Sequence, residues 1–259
     1  MWKRLATSAT VMLMAGSVSA QSPASIPRTP DGKPDLSGVW QTGGISLTGG
    51  PQGNVVGAGQ AAPASSGASA AKPPSEYADL PTQPPLQPWA AEQVKTLTNA
   101  DDPTVHCLLP GVPRVISMPM PFEIVQTPKQ VVILYEAFRA FRMIPTDGRK
   151  PPGERLPSYM GDSSGRWEGD TLVVEVTNFN GRIWGPGNMR VTSDALRVVE
   201  RYTHMGDTIA YEARIEDPKV LTGPFVYRTT LRRPPDTWVA EYECLENNID
   251  LPRILGAAK

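Results

Sequence analysis

Only a few side chains of this sequence have types and spacing that could carry chemistry. There are two histidines and two cysteines among its 259 residues. Glu200, Tyr202 and His204 stand at alternate positions, so in a strand all three share one face. Turned inward, the His204 imidazole would be a general base oriented by the Glu200 carboxylate; beside a hairpin tip it would be a solvated surface group. Glu136 and Arg142 flank an aromatic segment and would pair at a pocket mouth, either orienting a substrate or forming a structural ion pair. Asn178, Asn180 and Trp184 gather where a strand ends. Their amides would hold a ligand's polar group while the indole stacks on its apolar part, or they cap the strand and fill the core beneath the loop.

Other patterns are weaker. Gly161-Asp162-Ser163-Ser164-Gly165 satisfies G-x-S-x-G, but a nucleophile elbow needs a strand, a sharp turn and then a helix. Here a hairpin follows, and only His106 and His204 exist to serve as a base, so the pattern reads as a polar strand entry. His106, beside Cys107, reads as a loop residue. There is no P-loop, G-x-G-x-x-G, H-E-x-x-H, EF-hand loop or C-x-x-C-H. No cofactor and no metal site are therefore expected.

The elements that must position these residues are hairpins. The clearest runs from Tyr159 to Phe179. One arm reaches Trp167, Glu168-Gly169-Asp170 turns the chain, and in the return Leu172, Val174 and Val176 alternate with Val173, Glu175 and Thr177, the period of a half-buried strand. Gly169 suits the positive φ of a tight turn. Further strands are expected over 122–127, 130–136 and 138–144, with hairpins 197–205/208–216 and 225–232/238–244. Their alternation turns Glu200, Tyr202, Tyr211 and Tyr227 inward, together with Trp238, Ala240, Tyr242 and Cys244, an aromatic interior with polar handles. The bland alternative is that these side chains fill the core.

This pattern predicts an all-β fold, an antiparallel up-and-down barrel of about 8–10 strands with one N-terminal helix. One end is expected to be open, with a site built from Glu136, Arg142, Asn178, Asn180 and Trp184. Along the chain, 1–20 reads as a signal peptide, 21–35 as an extended arm and 36–47 as the first strand. A Pro/Gly/Ala-rich flexible insertion fills 48–87, a helix and loop 88–112, and the barrel domain 113–259. The helix is expected because proline suits its first turn and Ala90, Val94 and Leu97 recur on one face.

Lys3 and Arg4, the apolar run Leu5–Gly16 and Val18-Ser19-Ala20 have the three-part form of an export signal, with a cut expected after Ala20. The protein is then periplasmic or secreted. In that oxidising setting Cys107 and Cys244 are expected to bridge rather than persist as buried thiols. Closing a loop of roughly 140 residues would contribute about 4–5 kcal/mol in the chain-entropy model. A formal charge of −1 without basic runs argues against a nucleic-acid partner, and no later apolar run is long enough to span a membrane.

Two resemblances add to this. Gly38-x-Trp40 resembles the opening of lipocalin-like barrels, which implies that Trp40 closes one barrel end. The phrases DGKPDLSGVW, FEIVQTP, VVILYE, RMIPTDGR, YMGDSSGRWEGDTLVVEVTNFN, ALRVVERY, YEARIEDP and EYECLEN together resemble a family of uncharacterised exported bacterial proteins. That resemblance implies histidines where this chain has Tyr135, Arg139 and Leu245, and so a histidine-based site that this chain has lost or rewritten. The expected function is an exported barrel binding a small, largely apolar or amphipathic molecule. The alternative is a cofactor-independent isomerase, lyase or hydrolase working with carboxylate, arginine and tyrosine groups in the barrel mouth.

Overall fold

The computed structural model describes residues 26–42, 75–149 and 155–246. The expected signal peptide and residues 43–74 of the first strand and insertion lie outside them. Nine strands form one antiparallel sheet: β1 Gly38–Thr42, β2 Phe122–Gln126, β3 Gln130–Tyr135, β4 Phe141–Pro145, β5 Asp162–Glu168, β6 Thr171–Thr177, β7 Arg197–His204, β8 Thr208–Glu216 and β9 Phe225–Arg232. The sheet order is β4-β3-β2-β1-β9-β8-β7-β6-β5. Chain neighbours are sheet neighbours everywhere except at β4 and β5, and β1 pairs with both β2 and β9. The result is an up-and-down barrel with one seam, between β4 and β5, that carries no ladder of hydrogen bonds.

Alternation builds the wall. Val198, Glu200, Tyr202 and His204 on β7 are buried, as are Ile209, Tyr211, Ala213 and Ile215 on β8. The β5–β6 turn takes two residues, with Glu168 opposite Thr171, and Gly169 supplies the expected positive φ of 57°. At the seam, Gly165 is required for space. A Cβ there would lie 2.8 Å from the Ile144 Cγ2 and 3.3 Å from the Pro145 carbonyl oxygen, so its absence lets β5 come against β4.

Both ends of the barrel are covered. At one, Trp40 is fully buried, its Nε1 donates to the Leu36 carbonyl at 2.8 Å, and the Arg233 guanidinium lies 4.2 Å from its ring centroid. The Gln126 amide ties the arm across this end, accepting from Leu36 N at 2.9 Å and donating to the Pro34 carbonyl at 3.1 Å. The other end was expected to be open and is not. Val112, Val115 and Ile116 join the main core with Phe179, Ile183 and Met189. The short 3-10 helix Arg114–Ser117 carries two of them, and an Arg114–Asp102 ion pair anchors it. These apolar residues, in the segment before β2, close the end because they have no other core to enter.

Two further expectations are corrected. The strand expected over 238–244 does not form, and Trp238 is 75% exposed. A tenth strand would need the free edge of β9, and β1 already occupies it. Residues 75–87, the last part of the expected flexible insertion, are ordered against the barrel. Tyr77 is buried, Val226 N donates to the Pro81 carbonyl at 2.9 Å, and Thr222 N donates to the Pro85 carbonyl at 2.8 Å. The helix forms over Pro88–Thr96 and buries Ala90 and Val94. No helix among the described residues is long and apolar enough to cross a membrane.

His204 is buried rather than solvated, at 2% exposure, and among the described residues neither ring nitrogen has a hydrogen-bond partner. Its ring meets Trp40 edge-on at 6.2 Å. Burial, reinforced by the Arg233 guanidinium, holds the imidazole pKa below its ordinary 6.5, against the pull of Asp35 and Asp207. The unfolded chain therefore binds this proton more tightly than the folded one. The contribution to stability is full above about pH 6.5 and is lost as pH falls from there toward the depressed folded pKa. Urea midpoints should drop between pH 7 and pH 5 in the wild type, and His204→Leu should flatten that drop. An undiminished pH dependence in the variant would assign the acid sensitivity to other groups.

Candidate functional site

Polar side chains from four strands and one strand end converge inside the barrel. Arg142 on β4 is 4% exposed and Glu200 on β7 is fully buried. Arg142 Nη2 donates to Glu200 Oε2 at 2.6 Å and Nη1 donates to Oε1 at 3.2 Å. Tyr202 and Tyr211 donate to the same Oε1 at 2.9 and 2.8 Å. Arg142 Nη2 also donates to Ser163 Oγ on β5 at 2.9 Å, and Nη1 lies 3.4 Å from the Tyr135 hydroxyl at the end of β3. The Arg142–Ser163 bond crosses the seam that the backbone leaves unbonded. Among the described residues, Arg142 Nε is the one atom of this cluster left buried without a partner.

Electrostatics fix the protonation of the donors. Burial pushes the Tyr135 phenol up to about 12. Tyr202 and Tyr211 are held well above the ordinary tyrosine range by burial and by the Glu200 charge beside them. Burial opposes the charge on Arg142, but Glu200 and the tyrosine oxygens outweigh it and keep the guanidinium well above its usual value. Four donors occupy the Glu200 carboxylate and the phenols keep their protons. The cluster can hold a charge pair and a hydrogen-bond network, but it offers no free base.

The residues expected at the mouth are not brought together. Arg142 pairs with Glu200 instead of Glu136, whose Oε2 accepts from Ala240 N at 2.8 Å. Asn178, at φ 60°, donates to Asp162 Oδ2 at 2.8 Å, and Asn180 Oδ1 accepts from Arg182 N at 3.0 Å. Both serve the strand end. Trp184 has two guanidinium groups near its ring, Arg190 at 5.2 Å and Arg114 at 5.7 Å from the centroid. Tyr227 meets Tyr211 edge-on at 6.3 Å and belongs to the core. His106 is exposed, with Nε2 at 2.8 Å from the Ala100 carbonyl. Ser163 is a strand residue bonded to Arg142, which leaves the G-x-S-x-G pattern structural.

A different set of residues forms a concave site. A cavity of about 160 Å³ is lined by Cys107, Phe138, Arg139, Tyr242, Glu243, Cys244 and Leu245. Cys107 and Cys244 are disulfide-bonded as expected, which brings residues 237–246 back across the barrel as a strap. The Phe138 and Tyr242 rings meet edge-on at 5.7 Å, and Arg139 forms an ion pair with Glu243. Five residues other than glycine have positive φ among the described residues, and three of them line this cavity: Cys107 at 59°, Phe138 at 59° and Arg139 at 50°. For L-residues such conformations cost free energy and persist where surrounding structure imposes them, often around binding sites. The Cys107–Cys244 pairing was a usable sequence signal for this place, since it sets residues 242–245 beside residue 107. Both Phe138 and Arg139 read as the start of a strand; the family resemblance marks Arg139 and Leu245, but no pattern marks Phe138.

Among the described residues no group of three or more His, Cys, Asp or Glu is placed to hold a metal ion. Compared with family models, curated proteins and solved structures, the chain matches none of them.

If the core cluster is a self-satisfied ion network, removing one partner should cost far more than removing the pair. Arg142→Met alone should destabilise by about 3–5 kcal/mol, because it leaves Glu200 buried without its cation. Adding Glu200→Gln should recover a substantial part, read as the shift in urea midpoint. A double variant no more stable than the single one would show that the two charges do not depend on each other.

Proposed function

We propose that this protein is an exported barrel that binds a small amphipathic molecule built on one ring, and that it does so at the rim cavity rather than inside the barrel. The observation that carries the reading is the convergence of three left-handed residues, Cys107, Phe138 and Arg139, on one cavity that also presents two aromatic rings and a charged pair. Its volume of about 160 Å³ is close to the roughly 150 Å³ that accommodates a single benzene ring in an engineered protein cavity. Rings from Phe138 and Tyr242 give apolar contact, the Arg139 guanidinium gives orientation, and the disulfide holds the two walls together. Such a combination of apolar lining with a few polar groups is the usual composition of a ligand site.

Export is supported by the signal-like first twenty residues and by a bonded cysteine pair, which belongs to oxidising compartments. The family resemblance adds support for the location. Arg139 and Leu245, two of the three positions at which it implies histidines, are on the cavity wall. The catalytic alternative has less behind it, because the Glu200 carboxylate is saturated with internal donors.

The reading is checked with benzyl alcohol as a neutral one-ring probe. Saturation-transfer NMR should detect its binding to the wild-type protein. Phe138→Ala and Tyr242→Ala should each weaken that binding at least several-fold with little change in thermal midpoint. Equal signals from wild type and both variants would place the probe elsewhere and overturn the assignment.

A further inference from the structure

Resting on that reading of the cavity, we infer that the site selects a carboxylate-bearing ring, a monocyclic aryl carboxylate, and that the Glu243 carboxylate occupies the place on Arg139 that the ligand's carboxylate would take. Two arginine–glutamate pairs lie close together in this chain, and they differ in what surrounds them. Arg142–Glu200 has side chains 2% and 0% exposed, whereas those of Arg139 and Glu243 are 58% and 26% exposed. A buried pair cannot exchange a partner without stranding a charge. An exposed one contributes little to stability, so little is lost when its guanidinium takes an anion from solution instead.

The geometry favours exchange. A guanidinium presents five N–H donors in a planar fork that matches a carboxylate. Among the described residues, the one hydrogen bond from the Arg139 side chain runs from Nη2 to Glu243 Oε2, so most of the fork is free for a second acceptor. Among the described residues, Glu243 Oε1 accepts only from Leu245 N, at 3.3 Å. Its backbone is pinned by the neighbouring Cys244 bridge and, farther along the strap, by the bond from Ala240 N to Glu136. The carboxylate can therefore swing off Arg139 on its own stem while the cavity wall stays in place. A ring bound against Phe138 and Tyr242 would carry its carboxylate toward the same guanidinium. The Tyr242 phenol is raised above its ordinary range by burial and then by Glu243, so it remains a donor beside that anion.

Benzoate and benzamide, which share size and ring and differ in charge, separate the possibilities when titrated against the wild-type chain, Glu243→Gln and Arg139→Met. Benzoate should bind wild type more tightly than benzamide. Glu243→Gln, which removes the competing charge, should strengthen benzoate binding by about five- to tenfold and leave benzamide unchanged. Arg139→Met should abolish the preference for benzoate. Thermal midpoints close to wild type would confirm that both variants are folded, and either variant alone suffices for the comparison. If both compounds bind equally well to all three proteins, selection of a carboxylate is refuted while the cavity remains a binding site. If neither compound binds any of them, this inference falls together with the binding reading.

Discussion

A guanidinium held almost wholly out of water is the constraint on which this barrel depends. Arg142 comes from the last strand on one side of the seam, and backbone pairing does not reach across to β5. The charge therefore has to be satisfied by side chains. Glu200 meets it from β7, Ser163 from β5 and Tyr135 from β3, so one residue ties together strands that the hydrogen-bond ladder leaves apart. Apolar burial supplies most of the driving force for folding, but it is tolerant of register. The charge is not. Slipping β4 by one position would bring Met143 inside and turn Arg142 out, leaving Glu200 buried without a cation.

Three residues earlier in the chain, the same pair of residue types is put to a different use. Arg139 follows a left-handed residue and is itself left-handed, which takes its side chain out of the strand's alternation and onto the rim. There the partner, Glu243, comes from a strap that is outside the sheet. The protein thus has a rigid ion pair in its core and an exposed one at its edge, and the difference follows from solvent access rather than from residue type.

Much of the architecture was legible in the sequence because it is local. Alternation placed Glu200, Tyr202 and Tyr211 inside, Gly169 marked a turn, and two cysteines in a chain with an export-like head marked a bridge. The failures share one cause, a partner that is distant in the chain. Residues 238–244 alternate well enough for a strand, but the edge they needed was taken by β1. Arg142 has Glu136 nearby in sequence and pairs with Glu200, 58 residues away. Val112 read as a loop residue, while Val115 and Ile116 were expected in the barrel and instead sit in a short 3-10 helix; only the assembled barrel gives all three a core to close. Nothing in the sequence pattern showed the left-handed backbone at Phe138 and Arg139, since neither residue type announces it, although the family resemblance marks Arg139. His204 showed its face through alternation, but its burial depends on Trp40 and the arm that packs over that end.

The pairing of β1 with β9 has a consequence for when the fold can form. The first strand of the barrel ends at Thr42 and its last neighbour starts at Phe225, so the wall cannot close until the chain has been made through β9. Loop closure over such a separation delays folding, and topologies rich in distant contacts fold slowly. Until β9 arrives, β1 has one open edge and the interior face of every strand lacks its opposite wall. A chain emerging N-terminus first would thus remain without its closed core until β9 has been made. Such a chain is exposed to edge-to-edge association for longer than a barrel whose closing strands are neighbours in sequence.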